Sequence, residues 1–252
     1  MEARLLSDED ISAVFTLWKE AFPKDDEFWD AFKNDHFNPL RCIGLFGGKG
    51  LVSALYYFPC ELRGRRFAYV FALATEALSR GLGRAPLLLE KSRDMLLSCG
   101  FSGALLCPQT EELFDYYKKH SYTEVISNDL FEADAANIPS TDFAEISPEE
   151  FLKCHTAFLP QGCLAHTENA INLFATYGKF AKCSDALFAF HEEEGRLICD
   201  WLLGNRLRAG DLLAFLGAES GMFKTAGGTR PFALALSFDG APLPSGFGLE
   251  LM

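Results

Sequence analysis

The chain has 252 residues and a mass of 28.0 kDa, which excludes a single small module and fits one large domain or two of about half that length. Hydrophobic residues make up 49% of the chain and charged residues 23%, so the composition predicts a folded protein with a large core. The net charge of −12 repels nucleic acid and anionic membranes, and it favours cationic small molecules or peptides as partners.

The sequence predicts a cytoplasmic protein. Its first ten residues, MEARLLSDED, lack the apolar segment of a secretory signal, and no apolar run approaches the roughly 18 residues of a membrane span. The eight cysteines form no C-x-x-C pair, and most stand within apolar strings. We therefore expect buried, reduced thiols.

The N-terminal part of the chain predicts two helices followed by a β-hairpin. Ser7 precedes an acidic first turn, as a helix N-cap does. Residues 41–46 and 51–58 have strand character, and the Gly47-Gly48-Lys49-Gly50 segment between them is typical of a tight hairpin turn. The second helix ends before Asn38-Pro39. Apolar residues at helical spacing define the two helices, with Ile11, Val14, Phe15, Trp18 and Phe22 in the first and Phe28, Trp29 and Phe32 in the second.

The segment that follows predicts alternating strands and helices, which is an α/β pattern. Residues 67–75 form a strand, and a glycine-bearing turn leads into a helix that ends at Gly100. Residues 102–107 form a buried strand. Thr110 then caps a helix that runs to about Lys119.

The turn between the first of these strands and its helix has the features of a diphosphate site. In Arg80-Gly81-Leu82-Gly83-Arg84-Ala85 the glycines allow backbone N–H groups to approach an anion, and the next helix offers its positive end. Residues 61–93 carry a net charge of +4 from seven basic and three acidic residues, whereas the remainder of the chain carries −16. This basic island predicts an anionic ligand.

These features together resemble the GCN5-related N-acetyltransferase (GNAT) family over roughly residues 3–130. The family signature, R/Q-x-x-G-x-G/A at the start of a helix after a strand, is matched by Arg80-x-x-Gly83-x-Ala85. The later family pattern F-Y-x-x-x-G-F is similar to Tyr-Tyr-Lys-Lys-His-Ser-Tyr at residues 116–122. The resemblance implies a mixed, highly twisted sheet flanked by helices, with acetyl-CoA as co-substrate.

The resemblance also implies roles for individual residues. The loop that would bind the pyrophosphate of acetyl-CoA is residues 80–85, and the tyrosine that would protonate the departing thiolate is Tyr117. Ser121 stands where the family has glycine, and Gln109 and Thr110 stand where some members have an asparagine. A bulged strand, whose backbone pairs with the pantetheine arm, is implied at residues 73–75. The implied cofactor-binding residues are Leu73, Ala74, Thr75, Arg80, Gly81, Leu82, Gly83, Arg84 and Ala85.

The second half of the chain predicts a related but degenerate α/β domain. Periodicity stops near residue 138, which gives domains of 1–138 and 139–252. Residues 146–151 repeat the cap pattern of residues 6–11, and strands at 186–190 and 196–203 flank residues 191–195 as a second hairpin. Residues 204–210 lack the R-x-x-G-x-A form, so we expect one cofactor site per chain. This domain is expected to form a wall of the acceptor site.

Two other patterns have simpler explanations than a ligand site. The glycine-rich segment at residues 47–50 has no Ser or Thr after its lysine, so a hairpin turn is favoured over a nucleotide loop. Cys154, His155, Cys163 and His166 include no C-x₂₋₄-C knuckle, and adjacent residues on a helix point about 100° apart. We therefore expect no metal site.

The resulting hypothesis is an N-acetyltransferase that moves an acetyl group from acetyl-CoA to a primary amine of a small molecule or peptide. Its general base stays open between Glu76, a carboxylate of the second half and a water chain. The alternative is a non-catalytic acyl-CoA-binding or interaction protein with the same fold. Transfer of a longer acyl chain is a third reading.

Overall fold

The computed structural model describes residues 1–23, 26–48, 50–137, 140–248 and 251. These residues fall into two compact units. Unit 1 comprises Met1–Pro59, Arg65–Thr123 and Ala235–Leu243, and unit 2 comprises Cys60–Gly64, Glu124–Leu234 and Pro244–Met252. The domain boundary predicted near residue 138 lies outside the described residues.

Unit 1 is a mixed sheet with helices. Its strands follow the order β1-β2-β3-β4-β5, and residues 235–237 lie next to β5. The β1/β2 and β2/β3 pairs are antiparallel, whereas β4 and β5 are parallel. The elements are β1 (Glu2–Leu5), α1 (Ile11–Ala21), α2 (Asp26–Ala31), β2 (Cys42–Gly47), β3 (Gly50–Leu62), β4 (Arg65–Thr75), α3 (Arg84–Ser98), β5 (Phe101–Leu106) and α4 (Glu111–Lys118).

Most local predictions for unit 1 are confirmed. The Asp10 carboxylate accepts a hydrogen bond from the Ser7 backbone N–H at 2.8 Å, which completes the predicted cap before α1. Gly100 follows α3 with a φ of 80°, as the predicted left-handed end of that helix requires. Gly47 pairs with Gly50 in the β2/β3 hairpin, while Lys49 lies outside the described residues. The prediction of a buried thiol is wrong for Cys99, which is exposed because it lies at the solvent-facing end of α3.

The core of unit 1 between the first helices and the sheet is aromatic. Trp18 is fully buried, and its ring stacks on Trp29 with centroids 5.3 Å apart. Edge contacts extend this cluster from the helices onto the strands. Its buried members are Phe15, Trp18, Trp29, Phe32, Tyr56, Phe58, Tyr69 and Phe71.

No helix in the described part of the chain is long and apolar enough to cross a membrane.

Unit 2 is a second mixed sheet, with strand order β13-β6-β12-β11-β10-β9-β7. The elements are β6 (Glu124–Asp134), β7 (Ala144–Ile146), α5 (Pro148–Phe158), β8 (Ala165–His166), α6 (Glu168–Phe174), β9 (Lys179–Lys182), β10 (Ala186–Glu193), β11 (Arg196–Gly204), α7 (Ala209–Leu216), β12 (Ser220–Ala226) and β13 (Arg230–Ser237), whose residues after Leu234 belong to unit 1.

The two units share an order of elements. The succession β1-α1-α2-β2-β3-β4-α3-β5 in unit 1 matches β7-α5-α6-β9-β10-β11-α7-β12 in unit 2, apart from the two-residue strand β8 between α5 and α6. Both successions begin with an antiparallel pair, β1/β2 or β7/β9, and end with a parallel pair, β4/β5 or β11/β12. The hairpin predicted over residues 186–203 therefore corresponds to β3 and β4, one strand later than the sequence comparison placed it. The sequence missed β9 because four residues are too few for a periodic signal.

The β10/β11 hairpin is tighter than predicted. Residues 191–193 continue the strand, and the turn is the two-residue pair Glu194 and Gly195, with φ of 51° and 79°. Strand pairing places His191 near Asp200, and the distance from His191 Nδ1 to Asp200 Oδ2 is 2.6 Å. The hydrogen bond to Asp200 raises the pKa of His191. The predicted loop over 191–195 is thus largely β-strand.

Candidate functional site

Strand β4 continues beyond its pairing with β5. The parallel register joins Arg66–Tyr69 of β4 to residues 101–105, whereas β4 itself runs to Thr75. Within this extension Ala72 has a φ of 50°, in the left-handed region that residues with a side chain rarely adopt. The strand therefore bends at Ala72, just before the residues that the GNAT resemblance assigns to the pantetheine arm.

Two side chains hold the bent part of β4 by its carbonyl groups. The Trp18 indole Nε1–H donates to the Ala72 carbonyl at 2.7 Å. The hydroxyl of Ser53, a fully buried residue of β3, donates to the Ala74 carbonyl at 2.6 Å. Because that bond uses the only hydroxyl hydrogen of Ser53, the Thr75 hydroxyl is the donor in its 2.8 Å contact with Ser53. These contacts fix the backbone of residues 72–75.

The loop after β4 is shaped by two glycines. Gly81 has a φ of 73° and Gly83 a φ of 71°, and a Cβ added at either position would meet no heavy atom within 4 Å. Positive φ favours glycine, and the open space leaves the loop backbone accessible to a ligand. The Arg80 Nε–H donates to the Thr75 carbonyl at 3.0 Å, which ties the loop to the end of β4.

Helix α3 presents its N-terminus at this loop. The Leu87 N–H donates to the Gly83 carbonyl at 3.2 Å, as the first intrahelical bond of α3. The N–H groups of Arg84 and Ala85 precede this bond and have no acceptor within the helix, and Pro86 has no N–H to leave unpaired. The positive end of the helix dipole adds to this donor set.

A cavity of about 400 Å³ lies at the loop. The basic side chains beside it are Arg80 and Arg84, neither of which forms an ion pair with another described residue. Of the residues assigned to the cofactor from sequence, Leu73, Ala74 and Leu82 do not line this cavity. The lining residues are Thr75, Ser79, Arg80, Gly81, Gly83, Arg84, Ala85, Pro86 and Tyr116.

Helix α4 contributes Tyr116 to this cavity, whereas the sequence singled out Tyr117. Tyr117 is half-buried, and burial raises the pKa of its phenol, with a smaller contribution from Tyr116. The two rings are 5.1 Å apart between centroids. Sequence reasoning missed Tyr116 because the family pattern draws attention to the second tyrosine of the pair, although both lie on one short helix.

Ser121 occupies a left-handed position after α4. Its φ is 73°, its N–H donates to the Lys118 carbonyl, and the Tyr122 N–H donates to the Tyr117 carbonyl. These two bonds form a Schellman motif, in which glycine is the usual residue at the left-handed position. The family pattern thus has glycine at this position because the turn requires a left-handed conformation. Ser121 adopts the same conformation at a cost in free energy.

The corresponding loop of unit 2 lacks these features. Its arginine nearest to α7, Arg208, lies 3.0 Å or less from carboxylate oxygens of Asp142, Asp185 and Asp211, so its charge is neutralised within the protein. Among the described residues of β11 before Gly204, none has a positive φ. This loop is therefore poorly suited to an anionic ligand.

The loop cavity of unit 1 fits a diphosphate. It combines two accessible glycine positions, unpaired N–H groups at a helix N-terminus and two arginines without carboxylate partners in the described part of the chain. The described residues include no group of three or more His, Cys, Asp or Glu side chains that could hold a metal ion. The cavity thus offers donors for an anion.

We predict that Trp18→Phe lowers the free energy of unfolding by about 1–3 kcal/mol more than Trp29→Phe, because it leaves the Ala72 carbonyl without its donor. Both tryptophans are buried in the same cluster, but Trp29 Nε1 has no hydrogen-bond partner among the described residues. Urea unfolding measures both variants. Equal losses of stability would show that the indole hydrogen bond does not hold the bend at Ala72.

We also predict that Ser121→Gly raises the free energy of unfolding by about 1 kcal/mol, because glycine adopts a left-handed conformation without the strain of a side chain. Ser12→Gly, at an exposed position within α1, is the control and should lower stability by roughly 0.5 kcal/mol. Thermal or urea unfolding measures both. A loss of stability in Ser121→Gly would contradict the assigned strain.

A family model for the acetyltransferase (GNAT) domain matches residues 2–125. This match covers β1 to α4 and contains the bent strand β4 and the glycine loop. A search of curated proteins finds no match to the sequence.

Solved structures of acetyltransferases share the fold across both units. A GCN5-related N-acetyltransferase from Kribbella flavida is 17% identical, with a TM-score of 0.67 over 94% of this chain and 72% of that chain. One from Anabaena variabilis is 12% identical, with a TM-score of 0.71 over 94% and 72%. Eis1 from Mycobacterium abscessus is 13% identical, with a TM-score of 0.67 over 95% and 74%.

At these identities the structural matches establish the fold, and the family model identifies the domain that it matches. The predicted α/β fold class with a GNAT-like mixed sheet is confirmed. Residues 2–125 therefore form an acetyltransferase (GNAT) domain.

Proposed function

We propose that the protein is an N-acetyltransferase that moves an acetyl group from acetyl-CoA to a primary amine. The observation that carries this proposal is the loop cavity, where Gly81 and Gly83 expose the backbone beside Arg80, Arg84 and the N-terminus of α3. A diphosphate needs such a set of donors and positive charges. The GNAT domain supports the acetyltransferase reaction in particular.

The bound acetyl-CoA would be held by backbone as well as side chains. Its diphosphate would accept hydrogen bonds from N–H groups of the loop and of the first turn of α3. Its pantetheine arm would pair with the backbone of residues 73–75, which Trp18 and Ser53 hold in place. Held in this way, the thioester has a fixed position for an incoming amine, and such positioning lowers the barrier to reaction.

Acetyl-CoA supplies an acyl group that is already activated as a thioester. The amine attacks as the neutral species, so its extra proton must first leave to a base. A backbone N–H near Leu73 would polarise the thioester carbonyl, and the Tyr117 hydroxyl would donate its proton to the sulfur as the C–S bond breaks. The nitrogen would then give its remaining extra proton to the Tyr117 phenolate, which leaves a neutral amide and the free thiol of CoA. A tyrosine hydroxyl is protonated at neutral pH, and burial raises the pKa of Tyr117 further.

The general base that deprotonates the amine stays open between Glu76, a carboxylate of the second half and a water chain, and the amine acceptor stays a prediction. The Glu76 carboxylate accepts a hydrogen bond from the Ser79 hydroxyl at 3.2 Å, and Glu76 does not line the loop cavity. The net charge of −12 favours a cationic amine of a small molecule or peptide as acceptor. The role of the second half as a wall of the acceptor site also stays a prediction, as does the cytoplasmic location.

The second candidate function is binding of acyl-CoA without catalysis. Two observations favour it: the strained Ser121 in place of glycine, and a cavity lined by Tyr116 and not by Tyr117. Such a protein would bind acetyl-CoA as tightly as an enzyme would. Turnover therefore distinguishes the two functions.

We expect Tyr117→Phe to lower kcat at least tenfold while acetyl-CoA affinity is retained, because loss of a general acid slows the reaction by roughly 10²–10⁴-fold. Release of free CoA thiol with a broad panel of primary amines measures turnover, and calorimetry measures affinity. Tyr57→Phe is the control, since the Tyr57 hydroxyl donates a hydrogen bond to the Leu40 carbonyl and does not line the loop cavity.

Each outcome selects one function. A selective loss of kcat in Tyr117→Phe supports the enzyme and the role of Tyr117. Unchanged turnover in this variant removes Tyr117 from the reaction but leaves the acetyltransferase in place. Tight acetyl-CoA binding by the wild type without thiol release from any amine supports the non-catalytic alternative.

A further inference from the structure

Residues 244–248 of unit 2 form a short strap that is bonded to a neighbouring loop. The Ser245 N–H donates to the Gly162 carbonyl, and the Leu164 N–H donates to the Gly246 carbonyl, each at 3.0 Å. Both bonds lie outside the named strands of unit 2. They can therefore break in a local opening that leaves the sheet of the unit intact.

The centre of the strap is Phe247, whose ring packs into an aromatic socket. Phe247 is fully buried, and its ring lies on the His166 ring with centroids 4.7 Å apart. His166 in turn meets the Trp201 ring edge-on at a centroid distance of 5.1 Å. Gly248 allows the strap to approach this closely, because a Cβ at that position would overlap the Trp201 ring. The strap thus covers an imidazole with an aromatic ring.

His166 lies almost out of contact with water under this cover. It is 3% exposed, and burial lowers its pKa, with a smaller lowering from the charge that His155 of α5 can carry. Protonation of His166 under the strap would place a positive charge beside a second imidazole and between two aromatic rings. Such burial of a charge costs free energy, so the closed strap favours neutral His166.

The other titratable groups on the elements around His166 are buried thiols, paired charges or solvent-facing groups. The buried thiols are those of Cys60, which lies opposite His166 in the β3/β8 register, and Cys163. The paired charges are Lys182 with Glu150 and His191 with Asp200. The partly or fully exposed groups are Glu61, Glu149, Lys153, Cys154, Glu168, Lys179, Glu192, Glu193 and Arg196. Burial is therefore the main influence on the titration of His166.

We propose that the strap is a pH-dependent latch, which is closed over neutral His166 and opens when this imidazole takes up a proton. Opening removes Phe247 and admits water, so His166 titrates near the ordinary histidine pKa of about 6.5. Because the open form binds the proton, the closed form is favoured above this pH and loses its advantage as the pH falls. The latch does not depend on the proposed acetyltransferase reaction.

Hydrogen exchange tests the latch through the Ser245 and Leu164 amides, which donate the two bonds of the strap. A protection factor compares each amide with the same amide in an unfolded chain at the same pH, so the intrinsic pH dependence of exchange cancels. The measurement runs from pH 7.5 to 5.5, which stays above the isoelectric point of about 4.9. For uptake of one proton with a pKa of about 6.5, we expect protection in the wild type to fall about tenfold over this range.

Two histidine variants locate the proton. His166→Phe keeps an aromatic ring in the socket but removes the titrating group, so its protection should not change with pH. His191→Gln is the control, since His191 is a partly buried histidine of the same unit that pairs with Asp200 in the β10/β11 hairpin. This variant should keep the tenfold change.

A third variant keeps the test decisive if His166→Phe does not fold. Phe247→Leu retains the imidazole but weakens its cover, so it should lower protection at every pH and keep the tenfold change. Protection equal to that of the wild type in Phe247→Leu would contradict the role of Phe247 as the cover.

Three further results would overturn the latch. The wild type could show protection that does not change with pH, or His166→Phe could keep the tenfold change, which would assign the proton to another group. The Cys183 amide, which donates to the Ala186 carbonyl elsewhere in unit 2, could lose protection in parallel with the strap. In that case the pH would act on unit 2 as a whole and not on the strap.

Discussion

The hydrogen bond from the Trp18 indole to the Ala72 carbonyl connects the aromatic core of unit 1 to the bend in β4. An alanine in the left-handed region costs free energy, so surrounding contacts must hold it there. Trp18 is itself fixed by stacking on Trp29 and by full burial. The packing of α1 and α2 on the sheet therefore determines the backbone conformation of the strand that, in our proposal, receives the pantetheine arm.

The two loops that follow equivalent strands in the two units differ in the ion pairs of their arginines. In unit 1, Arg80 and Arg84 have no carboxylate partner among the described residues, and they stand in a segment of net charge +4. In unit 2, three aspartates surround Arg208. An arginine already neutralised by the protein gains little from an anionic ligand. The shared order of elements is thus compatible with a single anion site, in unit 1.

Local signals made much of this structure predictable. Caps, glycines and helical spacing gave α1, α3 and α4 and the loop at residues 80–85, because these features depend on neighbours in sequence. The contact between Trp18 and Ala72 joins residues 54 apart, and nothing in an alanine-containing strand indicates a positive φ. The choice of Tyr116 over Tyr117 as a cavity residue likewise depends on how α4 packs. Such features require the tertiary fold.

The central claim is that the loop at residues 80–85 binds acetyl-CoA, and calorimetric titration of the wild type and Gly83→Glu tests it most directly. Gly217→Glu is the matched control, since Gly217 has a φ of 74° and equally open space at the end of α7. The account predicts micromolar binding by the wild type and by Gly217→Glu, and its loss in folded Gly83→Glu, where bulk and negative charge oppose a diphosphate. Unchanged binding in Gly83→Glu, or no binding by the folded wild type, would contradict it.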